Sequence, residues 1–270
     1  FIVMLNMHHD SDDFYDLPER PELLNRFRRI WEQIAENFKD YPADRVLFEA
    51  INEPRFSEDW EAAEQAHLDA TDAMNNTAYE VIRASGGENA IRPIVFETLT
   101  AGINSRKLEA LQANLLAKND PNLIGSVHYY GYWPFSVNNS GKTRFDEEVE
   151  GHIEQNLDMV QSYIIDQGFP VILGEYGLLG YDQAVEVIER GESQKFFNAL
   201  TKACEERGIP AILWDNGQHF EREKLYWRDP GLHAAIMGGF NGGSATAELD
   251  MVFMPEGTKE PAHLELDLAG

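Results

Sequence analysis

Six apolar runs of strand length, near residues 2–6, 45–51, 91–96, 123–129, 170–174 and 209–214, are each followed by a segment with helical spacing. This alternation is the tightest constraint on the chain. Strands joined by helical crossovers must lie parallel, so the pattern predicts a parallel α/β sheet. The clearest helix covers residues 21–39, where Leu23, Leu24, Phe27, Ile30, Trp31, Ile34 and Phe38 recur on one face. Others are expected near 57–84, 105–117, 146–167 and 192–207, with a shorter one near 229–237. Gly86-Gly87, Gly168 and Gly208 stand where three of them should stop, as C-cap glycines do. No strand leads into G-x-G-x-x-G or G-x-x-x-x-G-K-[ST], so a nucleotide-binding doubly wound sheet loses most of its support. The eight-stranded (β/α)8 barrel remains, and its chemistry sits at the carboxyl ends of the strands.

Those ends are polar. The first run closes on Asn6-Met7-His8-His9-Asp10, the second on Asn52-Glu53-Pro54 and the fourth on His128-Tyr129-Tyr130. The fifth closes on Gly174-Glu175-Tyr176-Gly177 and the sixth on Trp214-Asp215-Asn216-Gly217. A pattern set by stability alone would place apolar residues there. Two glutamates at the ends of different parallel strands suit glycoside hydrolysis, where one carboxyl protonates the leaving oxygen and the other attacks the anomeric carbon. Retaining enzymes hold such a pair about 5–5.5 Å apart. Either tripeptide alone is a weak signal, and Asn-Glu-Pro by itself reads equally well as a strand-ending turn. Together, with His, Tyr and Trp on other strands, they form a candidate site.

Composition narrows the partners. With 22 Lys and Arg against 47 Asp and Glu, the net charge is −25, which disfavours nucleic acid and anionic membrane surfaces. A neutral polymer needs no electrostatic steering. No apolar run approaches the roughly 18 residues of a membrane span. The single cysteine, Cys204, excludes an intrachain disulfide and a cysteine-based zinc cluster, and its position on an apolar helix face marks it as inert core.

FIVMLNMHHD, VLFEAINEP, VHYYGYWPF, VILGEYG and ILWDNG, in that order, resemble glycoside hydrolase family 5, in its endo-β-1,4-glucanase and xyloglucanase branch. The resemblance covers residues 1 to about 238. It implies a retaining, secreted endoglucanase acting on cellulose, mixed-linkage β-glucan or xyloglucan without a cofactor or metal. It makes Glu53 the general acid/base, Glu175 the nucleophile, and Asn52 the contact to the sugar hydroxyl beside the reacting carbon. His8, His128, Tyr130 and Trp214 would line the subsite of the reacting sugar. Tyr130 would orient Glu175. Trp133, with Tyr132 and Phe135, forms an aromatic loop suited either to stacking on sugar faces or to packing on the barrel rim.

Counted against the family, the first strand here matches its third. The expected architecture is therefore a (β/α)8 barrel, residues 1–238, lacking its first two βα units and the family's strand-two Arg. An upstream segment or a second chain would complete it. Residues 239–270, with Gly238-Gly239, Gly242-Gly243, Met251-Val252-Phe253-Met254 and the alternating 263–268 run, are expected to be a linker and the opening strands of a β-sandwich module of immunoglobulin type. The apolar run Phe1–Leu5 has no basic n-region and no cleavage site and does not read as a signal peptide, so secretion rests on the resemblance alone.

Two rival readings stand beside this one. The first is a metal-dependent hydrolase barrel using His8, His9 and His128, although neither H-E-x-x-H nor H-x-H occurs. The second is a polysaccharide-binding protein without catalysis. Asp10-Ser11-Asp12-Asp13 with Asp16 resembles a calcium loop, but Tyr15 stands where an EF-hand requires Gly, and a solvated acidic loop is the better account. Strand parity points Glu49 to the same side as Glu53 but four residues deeper, which suggests a paired structural carboxylate. Glu97 and Asp215, also at strand ends, are expected as substrate contacts.

Overall fold

The computed structural model describes residues 2–9, 11–137, 142–179, 188, 190–242, 246–250 and 263–267. The described chain runs β1 (Val3–Asn6), α1 (Leu24–Phe38), β2 (Val46–Glu49), α2 (Gln65–Ala84), β3 (Ile94–Glu97), α3 (Ser105–Lys118) and β4 (Leu123–Tyr129). It continues through α4 (Trp133–Ser136), α5 (Glu147–Tyr163), β5 (Val171–Tyr176), α6 (Arg190–Glu206) and β6 (Ala211–Leu213). A short hairpin, β7 (Phe220–Glu221) and β8 (Tyr226–Trp227), precedes α7 (Pro230–Phe240), β9 (Thr246–Asp250) and β10 (His263–Asp267). Strands β1 to β6 form one sheet in chain order, the arrangement the βα alternation predicts. No helix among the described residues is long and apolar enough to cross a membrane.

The chain divides into two compact units, residues 1–128 with 159–172, and residues 129–158 with 173–270. In the first, β1 pairs with β2, β2 with β3 and β3 with β4, all parallel. The apolar stripe of α1 supplies Phe27 and Trp31, both fully buried. Trp31 packs edge-on against Phe48 of β2, ring centroids 5.6 Å apart, and its indole N–H donates to Ala50 O at 3.0 Å. A buried indole needs such a partner, and this one fixes α1 over the carboxyl end of β2.

The most demanding buried group in this unit is Arg92, whose guanidinium is wholly enclosed. It donates to Phe38 O (2.9 Å) and Tyr41 O (2.6 Å), to Val46 O (2.6 Å) and to Asn89 Oδ1 (2.6 Å). The first two acceptors lie at or just past the end of α1, where carbonyls lack intrahelical partners and favour a cation. Arg92 therefore ties the end of α1 to the entry into β2 and β3.

Helix α2 begins at Gln65, eight residues later than the spacing suggests. The intervening backbone is bonded elsewhere. Trp60 O accepts from buried Lys107 Nζ (2.6 Å) and Thr100 Oγ1 (3.0 Å), and Glu61 N–H donates to the Asp59 side chain (2.9 Å).

In the second unit β5 pairs parallel with β6. Helices α6 and α7 approach closely at Gly239, where an added Cβ would stand 1.9 Å from Thr201 Oγ1. Asn198 Nδ2 donates to Ala235 O (2.9 Å) and Thr201 Oγ1 to Ile236 O (3.1 Å), stitching the pair. Helix α7 thus runs through Gly238 and Gly239, three residues beyond the expected end. Gly208, at φ 66°, turns the chain out of α6, and Ile209 N–H bonds back to Cys204 O at 2.9 Å. Cys204 is core, as expected, and burial pushes its thiol up to about 12. Strands β9 and β10 pair antiparallel, His263 opposite Asp250. Phe1, Asp10, Gly243 and the Met251–Met254 run, all part of the sequence reading, lie outside the described residues.

Replacing Arg92 with Met should keep its bulk but strand several buried carbonyls. We expect a loss of about 3 kcal/mol or more, read from the midpoint of urea unfolding. A change below 1 kcal/mol would show that the carbonyls find other partners.

Candidate active site

In the first unit the strand ends converge on one imidazole. Residue Glu53 follows β2 by four positions and holds φ at 45°, a left-handed backbone that a non-glycine residue adopts at a cost. Two bonds hold this turn. Its own N–H donates to Glu97 Oε2 at the end of β3, and Pro54 O accepts from Thr100 N–H at 2.9 Å. The Glu53 side chain then meets His128, on β4, with Oε1 2.8 Å from Nδ1. The other ring nitrogen, Nε2, stands 3.0 Å from Glu97 Oε1. One histidine thus bridges two carboxyl groups of unequal environment: Glu53 is partly exposed, and the Glu97 side chain is sealed from solvent.

Asn52, also buried, anchors its backbone N–H on Met7 O at 2.9 Å, and its Oδ1 has no protein partner among the described residues. Asn6 donates to Glu49 Oε2 at 2.7 Å, which makes Glu49 the deep, paired carboxylate that strand parity suggests. Burial raises the Glu49 carboxyl above its ordinary value. Burial and then neighbouring His9 lower His8 below the usual imidazole value, so His8 favours the neutral ring. Its Nδ1 lies 3.5 Å from Asn6 Nδ2.

Glu97 departs from expectation. Predicted to touch substrate, it is instead wholly buried and turned onto Glu53 and His128. Burial pushes its carboxyl up to about 8, against the opposing pull of His128. What the sequence does offer is a charged residue closing the fully buried run Ile94–Glu97. Position alone did not reveal its partner.

In the second unit Glu175, the penultimate residue of β5, is buried, and its Oε2 accepts from the Tyr130 hydroxyl. Gly177 leaves room for that ring, since a Cβ there would come within 3.3 Å of Tyr130 Cε1. Trp214 is fixed beside the end of β5 by its N–H bond to Tyr176 O, 3.0 Å. The aromatic loop divides. Trp133 is 52% exposed at the start of α4, Phe135 is fully buried against Phe145 and Phe196, and Tyr132 donates to Glu148 at 2.8 Å. Asp215 is a loop anchor: Oδ1 accepts from the backbone N–H groups of Gly217 (3.1 Å) and His219 (2.9 Å). Burial would raise this carboxyl, but the backbone donors and Arg222 hold it below its usual value. In the acidic loop, Asp12 and Asp13 bond Arg55 (3.1 Å) and Arg26 (2.6 Å).

Residues 1–220 match the family described as Cellulase (glycosyl hydrolase family 5), and the chain belongs to that family. It is 40% identical to endoglucanase B of Paenibacillus lautus over 99% of its own length and 48% of that protein's. It is 28% identical to endoglucanase B of Clostridium cellulovorans, covering 88% of this chain and 56% of that one. Among solved structures it resembles the tri-modular endo-β-1,4-glucanase B of Bacillus halodurans, with a TM-score of 0.87 and 39% identity over 96% of this chain and 48% of that chain. The chain therefore spans about half the length of these relatives.

The buried Glu97 carboxyl leaves a mark on stability. Its folded value of about 8 lies above the ordinary 4.5, so the folded protein binds a proton that the unfolded chain has released. Stability should therefore fall as pH climbs from about 4.5 to about 8 and level off above. Glu97→Gln should flatten that slope, as followed by urea midpoints across the range. An unchanged slope would place the proton elsewhere.

Proposed function

We propose that the protein carrying this chain is a retaining endo-β-1,4-glucanase. The observation that carries the reading is the pair of carboxyl groups at the ends of parallel strands, each held by a polar partner of its own. Glu53 meets His128, and Glu175 accepts from Tyr130. Membership of glycosyl hydrolase family 5 and similarity to endoglucanases support it. The six strands would be strands three to eight of a (β/α)8 barrel, and β9 with β10 the opening of a β-sandwich module. Long glucans do not cross a cell membrane, so the reading entails export from the cell.

In the first step Glu175 attacks the anomeric carbon while Glu53 gives its proton to the departing oxygen. In the second, Glu53 takes a proton from water, and the resulting nucleophile releases the sugar from Glu175 with net retention. Glu53 must hold a proton when Glu175 does not, which requires unlike surroundings. The Tyr130 hydroxyl supplies part of that difference by donating to Glu175, a bond that favours the ionised carboxylate. Asn52, with a buried acceptor lacking a protein partner, is suited to a sugar hydroxyl. His8, Trp214 and exposed Trp133 offer further surfaces for the sugar ring.

Azide separates the two glutamates. In Glu175→Ala it should displace the leaving group directly from the vacated side and give the α-glycosyl azide. In Glu53→Ala, given a substrate with a good leaving group, it should intercept the intermediate on Glu175 and give the β-azide. The same anomer from both variants would overturn the assignment. Internal cleavage should also lower the viscosity of a soluble β-1,4-glucan well before much reducing sugar appears. Release of monomer or dimer from the outset would speak for an exo mode.

A further inference from the structure

The proposed reaction gives no role to the buried lysine of the first unit. Lys107 stands in the first turn of α3, where Asn104 Oδ1 accepts its backbone N–H at 3.0 Å. Its side chain is enclosed, and burial holds the ammonium below the usual lysine value. Asp59 and Glu61, both exposed, attract it only from a distance. A positive charge is also disfavoured at a helix N-terminus. Stability alone would place an apolar residue here.

The ammonium joins two loops. Its Nζ donates to Thr100 Oγ1 at 2.8 Å and to Trp60 O at 2.6 Å. Gly102 makes room for it, since a Cβ there would stand 2.7 Å from Nζ. An ammonium has three donors and no acceptor, so it serves both oxygens at once. The Thr100 hydroxyl is left to donate onward, to Leu99 O (2.7 Å) or Trp60 O (3.0 Å). Thr100 and Ala101 are consecutive non-glycine residues at φ 56° and 51°, a left-handed pair that needs such support. From this turn the Thr100 N–H reaches Pro54 O at 2.9 Å. Glu53 is thus bracketed: Glu97 Oε2 accepts its own N–H, and Thr100 holds the carbonyl of the next residue.

We propose that Lys107 is a positioning residue for Glu53: by fixing Thr100, it sets the left-handed turn that aims the Glu53 carboxyl at the departing oxygen. The proposal rests on the reading of Glu53 as the acid/base. Lys107 leaves the charge of Glu53 alone and governs where its proton is delivered from. Without the ammonium the Thr100–Ala101 pair relaxes, Pro54 O loses its donor, and the Glu53 side chain shifts. A misplacement of about 1 Å can cost about a hundredfold in rate, so a smaller shift should cost about tenfold.

The test is Lys107→Met in the full-length protein, which keeps the bulk of the side chain and removes its donors. The quantity measured is kcat/KM on aryl β-cellobiosides that differ only in the leaving phenol, so sugar contacts stay constant along the series. Poor leaving groups need the proton from Glu53, and good ones need little. The poorest should lose about tenfold and the best less than about twofold, steepening the dependence on leaving group. A merely structural role would lower every member by one factor, because it reduces only the amount of active enzyme. Thr100→Val keeps the shape and the N–H but drops the hydroxyl, and it should steepen the series in the same way. Thr100→Ser should recover most of that loss. Combining Lys107→Met with Thr100→Val should cost no more than Lys107→Met alone.

An unchanged slope in folded Lys107→Met, or an equal loss along the series, would overturn the proposal. So would losses that multiply in the double variant. Should Lys107→Met fail to fold, Thr100→Val and Thr100→Ser decide the matter on the same series. Glu53→Ala keeps the two questions apart. An unchanged slope in that variant would bring down the acid/base assignment itself. A steepened slope there, with none in Lys107→Met, would bring down only the positioning.

Discussion

Glu97 reaches from the end of β3 to the backbone N–H of Glu53, and the Glu53 turn depends on that bond. A non-glycine residue at φ 45° is held there only when its surroundings compensate. Here they do so from several directions: Glu97 from β3, Thr100 through Pro54, and His128 from β4. Parallel strands in chain order put those residues side by side, because β3 pairs with both β2 and β4. The register then brings three distant sequence segments to one imidazole.

The rest of the first unit reads as support for that placement. Trp31 fastens α1 to the residue after β2, and Arg92 ties the end of α1 to the start of β2 and to the turn before β3. Both side chains enclose polar groups that must be fully bonded once buried, so neither tolerates a small displacement. The strands that carry Glu53 and Glu97 are thus fixed at both ends. In the second unit the same logic operates on a smaller scale. Gly177 clears space for Tyr130, Tyr130 orients Glu175, and Asp215 gathers the backbone of the loop after Trp214.

Strand order, the parallel sense of the sheet, most helix boundaries and the polar strand ends were legible in the residues, because they follow from hydrophobic period and from glycine at helix ends. Family membership was legible for a related reason. Glu53 and Glu175 each sit in a short motif next to its strand, and each motif is local. The start of α2 was not legible, because residues 57–64 keep an apolar spacing while their backbone groups are drawn off by Lys107, Thr100 and Asp59. The aromatic loop was legible only as a pair of alternatives, and it took both, with Trp133 exposed and Phe135 enclosed.

By itself the sequence determined the parallel α/β architecture and which two glutamates stand at strand ends, since both are properties of neighbouring residues. Only the tertiary structure decided what the other acidic residues do. Asp215 and Glu97 look alike in the chain, each closing a strand. One became a loop anchor and the other a buried partner of Glu53. The difference lies in what burial places around a carboxyl group: backbone N–H donors hold Asp215 ionised, while desolvation and nearby carboxylates press Glu97 to keep its proton. The Glu97 surroundings are assembled from residues dozens of positions apart, which no local pattern encodes, whereas the Asp215 donors lie a few positions further along its own loop.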